Sequence, residues 1–306
     1  MKEVTVRAPA TVSNVVCGFD CLGFAIEEPF DEVTVRRKAE PGIVILHRDG
    51  FGLPTDPVEN VAGVAVAAML AAAGADFGLE IEIEKAIKPG SGIGSSGASS
   101  SGAVVAANWL LDEQFPPEKL IEFAMEGERL ASGSPHADNV APCILGGFVL
   151  VRSIDPIDVV RLDFPPLFAT VIHPQIEVKT AEARAVLPTE VPLKSAVNNW
   201  SNLGALVAGL ETGDYELIGR SLVDEIVEPA RRGLIPHFDE AKAAGLAAGA
   251  IGGGISGSGP SMFMLSKTRE LAEIVQAAMA ESYELTGIPF NTYVSEISPK
   301  GAGFGR

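Results

Sequence analysis

Residues 89–101 read PGSGIGSSGASSS, and this short stretch decides the fold assignment. It follows residues 79–87, LEIEIEKAI, whose strict alternation of apolar and charged side chains predicts a strand with one solvated face. A helix is predicted to follow over residues 102–111. Short side chains let a backbone wrap closely around an anion, and a helix N-terminus offers free N–H groups and the positive end of a dipole. The sequence therefore predicts a phosphate-binding loop between a strand and a helix.

Two better-known glycine-loop patterns fit this stretch poorly. A Walker loop requires GxxxxGK[ST], and the stretch contains no lysine. Gly92, Gly94 and Gly97 satisfy the dinucleotide-binding pattern GxGxxG, but the preceding strand is charged and alternating instead of wholly apolar. Asp112 lies at about the right distance for a ribose-binding acid, yet at the end of a helix and not of a second strand. A dehydrogenase is therefore disfavoured, and so is a flexible linker, because a strand and a helix flank the loop tightly.

Outward from this loop, strands and helices are intermixed without a repeat or a low-complexity linker. Charged alternating strands are typical of largely antiparallel sheets with helices on one face, which is an α+β fold. The pattern restarts after Asp155 and Pro156, so we expect two halves, residues 1–155 and 156–306. Strands are predicted over residues 3–7, 31–37, 79–87, 144–151, 167–172, 261–265 and 292–297. Helices are predicted over residues 61–74, 102–111, 117–130, 180–186, 196–210, 215–227, 237–248 and 268–283.

The charge of the chain disfavours one class of partner. Its 40 acidic and 23 basic residues give a formal net charge of −17, whereas a sequence-independent grip on nucleic acid needs a basic face. Phosphate binding is compatible with this charge, because backbone N–H groups hold phosphate without a large positive charge. The acidity serves either solubility or a salty cytoplasm, and the composition leaves both explanations open.

Cysteine usage and hydropathy indicate the compartment. The three cysteines form no CxxC spacing and indicate reduced thiols, and the four scattered histidines form no HExxH zinc motif. The opening residues MKEVTVRAPAT lack the apolar run of a secretory signal. The most apolar stretch, residues 61–75, is shorter than the roughly 18 residues of a membrane-spanning helix. We therefore expect a cytoplasmic protein that neither enters a membrane nor binds nucleic acid.

The glycine-rich stretch resembles the phosphate loop of the GHMP kinases, PxxxGLGSSAA. Ile93 stands in place of the usual leucine and Gly97 in place of the usual alanine, and both changes are small. The family includes galactokinases, homoserine kinases, mevalonate kinases and phosphomevalonate kinases. Residues 252–261, GGGISGSGPS, resemble a further signature of the family. The resemblance implies that they lie beside the phosphate loop and complete the floor of the site.

Four other stretches resemble the homoserine kinases in particular. Residues 8–23, APATVSNVVCGFDCLG, are similar to PATSANLGPGFDxLG, although Val16 and Cys17 stand where Gly-Pro is common. Residues 126–142, EGERLASGSPHADNVAP, are similar to ExxxSGxxHxDNVAP. Two later segments match TxxxR at 180–184 and EPxRxxLIP at 228–236. Several independent segments, in one order and at workable spacing, favour this subgroup.

The resemblance implies a two-domain GHMP kinase fold, with a ribosomal protein S5 domain 2-like N-terminal half and a ferredoxin-like C-terminal half. It implies a homodimeric enzyme that phosphorylates L-homoserine with ATP, a step toward threonine. Ser96 and Glu128 are the implied ligands of Mg²⁺, a cation that takes few protein ligands and keeps its waters. The implied ATP-binding residues are Pro89, Gly90, Ser91, Gly92, Ile93, Gly94, Ser95, Ser96, Gly97, Ala98 and Ser99.

The resemblance also implies three residues for the transfer step. Thr180 would contact the γ-phosphate or its water shell, Asn139 would contact the acceptor hydroxyl, and Arg184 would lie beside them. Glu128 is expected on a helix, with His136, Asp138 and Asn139 on the loop after it. No general base can be assigned, and a loose transition state leaves little need for early deprotonation, so positioning of the hydroxyl can suffice.

Recognition of homoserine requires partners for a carboxylate, an ammonium and a hydroxyl. A carboxylate is best met by the planar fork of arginine, for which Arg184 and Arg231 are the candidates. Asp20 together with Asn14 would meet the ammonium group. His136 would complete the acceptor pocket.

Two other functions remain open at this level. One is a related GHMP kinase that acts on mevalonate or another alcohol. The other is a non-catalytic nucleotide-binding regulator built on the same fold. The presence of Ser96, Glu128 and Asn139 together disfavours the regulator, because a protein that only binds nucleotide does not need all three.

Overall fold

The computed structural model describes residues 2–304 and shows the mixed order of strands and helices that the sequence predicts. The strands are β1 (Glu3–Ser13), β2 (Leu22–Lys38), β3 (Ile43–His47), β4 (Gly78–Glu84), β5 (Phe148–Ile154), β6 (Ile157–Leu162), β7 (Phe168–Pro174), β8 (Gly252–Ile255), β9 (Met262–Ser266) and β10 (Phe290–Glu296). The helices are α1 (Val61–Ala73), α2 (Ser95–Leu110), α3 (Pro117–Ser132), α4 (Ala137–Leu145), α5 (Thr180–Ala185), α6 (Leu193–Thr212), α7 (Tyr215–Ser221), α8 (Val227–Arg231), α9 (Phe238–Ala247) and α10 (Arg269–Glu284). No helix of residues 2–304 is long and apolar enough to cross a membrane.

The first sheet has six strands and is antiparallel except where β3 runs parallel to β4. Its order is β3-β4-β2-β5-β6, with β1 also paired to β2, whose 17 residues are long enough to serve three neighbours. The alternating strand β4 buries Leu79, Ile81 and Ile83 and turns its glutamates outward, where Arg36 contacts Glu80 and other acids. The largely antiparallel sheet predicted from charge alternation is confirmed.

Helix α2 passes through the middle of the first domain and is buried along almost its whole length. Helices α1 and α3 pack beside it, and its other side lies on β1 and β2. A Cβ atom on Gly102 would lie 2.7 Å from Val33 Cγ2, so the small residues of this helix permit close packing. The sequence placed the helix start at residue 102, whereas it begins at Ser95. Serine favours helices weakly, but burial overrides that preference here, and Ser100 Oγ bonds back to Ser96 O at 3.1 Å.

The second sheet has the order β10-β7-β9-β8, and every neighbouring pair is antiparallel. Its chain order, with helices between β7 and β8 and between β9 and β10, is the split βαβ arrangement of a ferredoxin-like domain. Met262, Met264, Val275 and Met279 pack between this sheet and helices α9 and α10. The ferredoxin-like C-terminal half is confirmed.

The predicted boundary near residue 155 lies in the turn between β5 and β6. Both strands belong to the first sheet, so this sheet extends to Leu162. The tail of the chain also returns to the first sheet, where Gly303 pairs with Arg7 and Ile297 with Ile26. We therefore propose that the second domain begins between β6 and β7.

Several elements were missed in the sequence. The edge strands β3 and β6 and the glycine strand β8 were not predicted, because short or glycine-rich strands carry little periodicity. The prediction of a loop for Asp138 and Asn139 is wrong, since both lie in α4, which contains Pro142 and so does not read as a helix. A single helix predicted over residues 215–227 is two, α7 and α8, because Asp224 accepts bonds from Val227 N and Glu228 N and starts a new helix there.

Gly127 tests the close packing of the helices. It lies in α3, and a Cβ atom there would lie 2.6 Å from Val61 O and 2.9 Å from Ser100 Cβ. We expect Gly127→Ala to lower the free energy of unfolding by about 1–3 kcal/mol, because neither backbone can yield without moving a helix. Gly204→Ala in α6 is the matched control, since a Cβ meets nothing within 4 Å there. Gly204→Ala should instead raise the free energy of unfolding by about 0.5–1 kcal/mol, measured by urea unfolding. Equal effects of the two substitutions would contradict the close helix packing at Gly127.

Candidate active site

A cavity of about 670 Å³ lies where the two domains meet, and most of the sequence-predicted residues line it. These are Asn14, Asp20, Pro89, Gly90, Ser91, Gly92, Gly94, Ser95, Ser96, Ser99, Glu128, His136, Asn139, Thr180, Arg184 and Arg231. Three predicted residues are not among its lining. Ile93 and Ala98 are buried in the core instead. Gly97 faces Asn139, whose Cβ would lie 3.5 Å from a Cβ built on Gly97.

The phosphate loop owes its shape to glycines in left-handed conformations. Gly90, Gly92 and Gly94 have φ values of 73°, 81° and 75°. Gly94 leads directly into α2, whose start has no side-chain cap, so the first N–H groups of the helix are available to an anion. A Cβ on Gly94 would lie 2.1 Å from Thr11 Oγ1, which shows how closely strand β1 supports the loop.

Residues 252–261 lie beside the phosphate loop, as the sequence predicted. Ser256 Oγ donates to Gly92 O at 2.7 Å, and Ser261 N donates to Ser91 O at 3.3 Å. A Cβ on Gly92 would lie 2.6 Å from Gly259 O, so only glycine permits this approach. The second domain therefore contributes directly to the shape of the loop.

A buried ion pair below the first turn of α2 was missed in the sequence. Lys85 Nζ contacts Asp31 Oδ2 and also donates to Ser95 O at 3.1 Å and to Ser99 Oγ at 2.8 Å. Asp31 accepts from the backbone N–H groups of Ala86 and Ile87. The available signal was a lysine that ends the apolar–acidic alternation of LEIEIEK, directly before the loop.

Glu128 is a buried carboxylate at the wall of the cavity. Only 3% of its surface is exposed, and burial raises its pKa to about 7 although the Ser96 hydroxyl partly offsets this. Its Oε1 atom has no hydrogen-bond partner among residues 2–304. A buried carboxylate with a free oxygen beside a serine hydroxyl is suited to a hard cation. No group of three or more His, Cys, Asp or Glu side chains within residues 2–304 could hold a metal, so a cation here would depend on phosphate and water for its other ligands.

The opposite end of the cavity holds a charged chain of side chains. Arg184 binds Asp20 through two parallel bonds of 2.8 Å, and its Nη2 lies 2.7 Å from His136 Nε2. Because arginine only donates, His136 accepts at Nε2 and is neutral, with its proton on Nδ1 directed at Ser132 Oγ, 3.0 Å away. Burial lowers the pKa of His136, which agrees with the neutral form.

Arg231 reaches the same end of the cavity from α8. It is only 2% exposed, and burial, followed by the nearby Arg184, lowers its pKa to about 10. Its Nε donates to Ala183 O at 2.9 Å and its Nη1 to Gly257 O at 3.2 Å. The ring of Phe19 lies 5.0 Å from the Arg231 guanidinium carbon and 5.2 Å from that of Arg184. Arg184 is thus held by one carboxylate and Arg231 by two backbone carbonyls, and the same aromatic ring lies near both.

The asparagines and Asp138 occupy the middle of the cavity. Asn14 uses both ends of its amide on backbone, accepting from Asp20 N at 2.8 Å and donating to Gly257 O at 2.9 Å. Asn139 Oδ1 accepts from Thr11 Oγ1 at 3.2 Å, which leaves its NH₂ group as the end it can offer a ligand. Asp138, which sequence reasoning did not select, is 2% exposed, and burial raises its pKa to about 7.

The remaining predicted residue, Thr180, begins α5 and lines the cavity on the side of the second domain. The geometry therefore places a cradle for phosphate and a charged pocket for a small polar molecule in one cavity. Such an arrangement suits transfer of a phosphoryl group between two bound molecules.

Comparison with known proteins agrees with this geometry. The family model described as GHMP kinases N terminal domain matches residues 60–147, and that described as GHMP kinases C terminal matches residues 206–285. The homoserine kinase of Chloroherpeton thalassium is 46% identical over an alignment of 316 positions that covers 99% of each chain. The chain belongs to the homoserine kinases of the GHMP kinase family. As a member of that family it is an ATP-dependent kinase that acts on an alcohol group.

Other members of the family are similar along the whole chain. The homoserine kinase of Pyrococcus furiosus is 44% identical over 295 residues, covering 95% of this chain and 97% of its own. The crystal structure of homoserine kinase from Cytophaga hutchinsonii is 49% identical, covers 99% of this chain and 97% of its own, and superposes with a TM-score of 0.95. The two-domain GHMP kinase fold is therefore confirmed.

Gly94 tests the phosphate loop of this kinase. We expect Gly94→Val to abolish measurable ATP binding, because the branched side chain would collide with Thr11 and cannot readily adopt the left-handed backbone. ATP affinity is measured by calorimetry, with thermal melting to show that the variant is folded. A folded Gly94→Val variant with normal ATP affinity would contradict the assignment of residues 89–101 as the phosphate loop. Gly204→Ala is again the control.

Glu128 links cation binding to pH. Its pKa is raised to about 7, so the neutral acid dominates below that pH and the carboxylate above it. We expect the Mg²⁺ dependence of ATP binding to strengthen as pH rises from 6 to 8, with release of a proton. Glu128→Gln should remove this part of the pH dependence and lower kcat by about 10²-fold or more.

The control for that change is Glu126→Gln, on the same helix, because the Glu126 side chain is 42% exposed and its one ion pair among the described residues is with Arg129. It should leave both the rate and the pH profile unchanged. An unchanged rate and Mg²⁺ dependence in Glu128→Gln would show that the cation lies elsewhere.

Proposed function

We propose that this protein transfers the γ-phosphoryl group of ATP to the hydroxyl of L-homoserine, forming O-phospho-L-homoserine and ADP in threonine biosynthesis. The observation that carries the proposal is the charged end of the phosphate-loop cavity, where Arg184 pairs with Asp20 and Arg231 lies beside the same Phe19 ring as Arg184. A zwitterionic amino acid can bind there by opening the Arg184–Asp20 pair, with its ammonium on Asp20 and its carboxylate on Arg184 and Arg231. Mevalonate has no ammonium group and would leave Asp20 facing an anion, so this pocket favours the amino acid.

The residues of the chain then divide the work of the transfer. The N–H groups at the start of α2 and the loop from Gly90 to Gly94 hold the phosphates of ATP, and Lys85 fixes that turn from below. The NH₂ group of Asn139 orients the acceptor hydroxyl toward the phosphates, with neutral His136 closing the pocket beside it. Thr180 contacts the γ-phosphate or its water shell. Since the transition state is loose, alignment supplies much of the rate enhancement and no strong base is required.

A magnesium ion fits this arrangement at Ser96 and Glu128. When bound, it would neutralise negative charge on the phosphate oxygens. The acidic chain itself has few positive charges for this purpose. A cytoplasmic location stays a prediction from cysteine usage and hydropathy, and a homodimer stays a prediction from the family resemblance. Sedimentation of the purified protein measures the second of these directly.

The substrate assignment is tested with a coupled assay for ADP release. The panel consists of L-homoserine, mevalonate, L-serine, L-threonine and the deamino analogue 4-hydroxybutyrate. Turnover with homoserine well above the other alcohols is the expected result. Preference for mevalonate would show a different GHMP kinase, and ATP binding without turnover of any alcohol would show a regulator.

Substrate recognition gives a sharper prediction at Arg184 and Arg231. Loss of a charged hydrogen bond to a bound ligand costs ~1.5–3 kcal/mol, so either arginine changed to leucine should raise the homoserine KM about tenfold to a hundredfold and spare that of ATP. Asp20→Asn should weaken homoserine binding and relax discrimination against analogues that lack the amino group, seen as a higher relative rate with 4-hydroxybutyrate. Arg232→Leu is the matched control, because Arg232 is exposed and binds Asp239.

Melting curves must accompany the Arg231 variant, whose side chain is buried and holds backbone carbonyls. Arg184 is more exposed and can be removed with less risk to folding. If both leucine variants kept the wild-type homoserine KM, the assignment of Arg184 and Arg231 to the acceptor pocket would be wrong. The assignment to the GHMP kinase family would be unaffected.

A further inference from the structure

Three buried serine hydroxyls at the junction of the glycine loops lack partners within residues 2–304, those of Ser13, Ser91 and Ser261, and only the first two of these residues line the cavity. Ser13 ends β1, Ser91 lies in the phosphate loop, and both line the large cavity with 1% and 0% of their surface exposed. Neither Oγ atom has a hydrogen-bond partner within the described residues 2–304. An unmade hydrogen bond at a buried hydroxyl is costly, so such groups usually serve a ligand or a bound water.

The location of Ser13 narrows the choice of ligand. Its carbonyl accepts from Gly257 N at 3.1 Å, and its Oγ would lie 3.4 Å from a Cβ built on Gly257. That same Cβ would lie 3.0 Å from Gly92 O, so Ser13 Oγ is close to the phosphate loop. The next residue, Asn14, accepts from the backbone N–H of Asp20, which lies at the acceptor end of the cavity. Ser13 thus lies between the phosphate cradle and the acceptor pocket.

Ser91 approaches the same junction from the loop itself. Its carbonyl accepts from Ser261 N at 3.3 Å, which ties it to residues 252–261. The backbone at both serines is therefore held by the contact between the two domains, and both residues line the cavity. A ligand that spans the phosphate cradle and the acceptor pocket would pass this junction.

The charges around the cavity explain why neutral donors are needed there. The loop has no lysine of its own, Lys85 is committed to Asp31, and Arg184 and Arg231 are assigned to the carboxylate of the acceptor. A phosphoryl group moving from the cradle to the acceptor would cross the region between these cations. Hydroxyl donors aimed at its oxygens suit the charge that spreads over them during transfer.

We propose that the Ser13 and Ser91 hydroxyls donate hydrogen bonds to the transferred phosphoryl group, that is, to the γ-phosphate of bound ATP. ADP lacks this group and leaves both hydroxyls unengaged. The inference rests on the proposed function, since it assumes transfer from ATP to an acceptor at the Asn14 side. It adds Ser13 to the residues of the transfer step and gives Ser91, which the family resemblance already places among the ATP-binding residues, a specific contact with the γ-phosphate.

The test compares ATP with ADP in the full-length protein. Calorimetry measures the affinity of wild type, Ser13→Ala, Ser91→Ala and the double variant for each nucleotide in the presence of Mg²⁺. Loss of a hydrogen bond to a charged group should weaken ATP about tenfold per serine while ADP affinity stays the same. In the coupled assay kcat should fall about tenfold to a hundredfold with the homoserine KM unchanged.

Ser266→Ala provides the matched control. Ser266 in β9 is also a fully buried serine whose Oγ has no partner in the described chain, but it does not line the cavity. Removing its hydroxyl should change neither nucleotide affinity nor kcat. Because alanine fits wherever an unpartnered serine fits, all of these variants are expected to fold, and melting curves check this.

Three results would overturn the inference. An unchanged ratio of ATP to ADP affinity together with an unchanged kcat would show that the hydroxyls hold only water. Equal weakening of ATP and ADP would place them on the inner phosphates. A raised homoserine KM with normal ATP affinity would place them on the acceptor. Failure of the proposed function is distinguishable, because wild-type protein would then release no ADP with homoserine while the ATP and ADP affinities could still be compared.

Discussion

The buried contact between Lys85 and Asp31 is the constraint on which the site depends. The lysine reaches the first turn of α2 from the end of β4 and is itself paired with Asp31 of β2, so the helix start is fixed relative to the first sheet. Removing either partner would leave the other charge buried and uncompensated, which is strongly destabilising. The pair therefore holds the N–H groups of the phosphate loop in place before any nucleotide arrives.

The second constraint is the meeting of two glycine loops from different domains. Gly92 and Gly259 approach so closely that a Cβ on the first would strike the carbonyl of the second, and Ser256 bonds across the gap. The phosphate loop is thus supported by β1 on one side and by the second domain on the other. Movement of one domain against the other would change the shape of the cradle, which couples domain packing to nucleotide binding.

This acidic protein has positive charges in the cavity that is proposed to bind anions. The net charge is −17, yet the cavity gathers Lys85, Arg184 and Arg231 around the places proposed for phosphates and carboxylate. Arg184 is held by Asp20 and both arginines lie near Phe19, so they are oriented before substrate arrives. Preorganised charge of this kind costs little reorganisation at the moment of reaction.

The sequence by itself determined the family, the α+β class and most of the residues that line the cavity, because glycine and charged motifs carry their chemistry locally. It also located the alternating strand β4, since period-two patterns survive without tertiary context. Only the tertiary structure decided that α2 begins at Ser95, that Asp138 and Asn139 lie in α4, and that the first sheet continues past residue 155. It also decided that Asn14 bonds to backbone groups, that Lys85 and Ser13 line the cavity, and that Asp31 pairs with Lys85. Burial and long-range pairing set those features, and neither is written in the local spacing of residues.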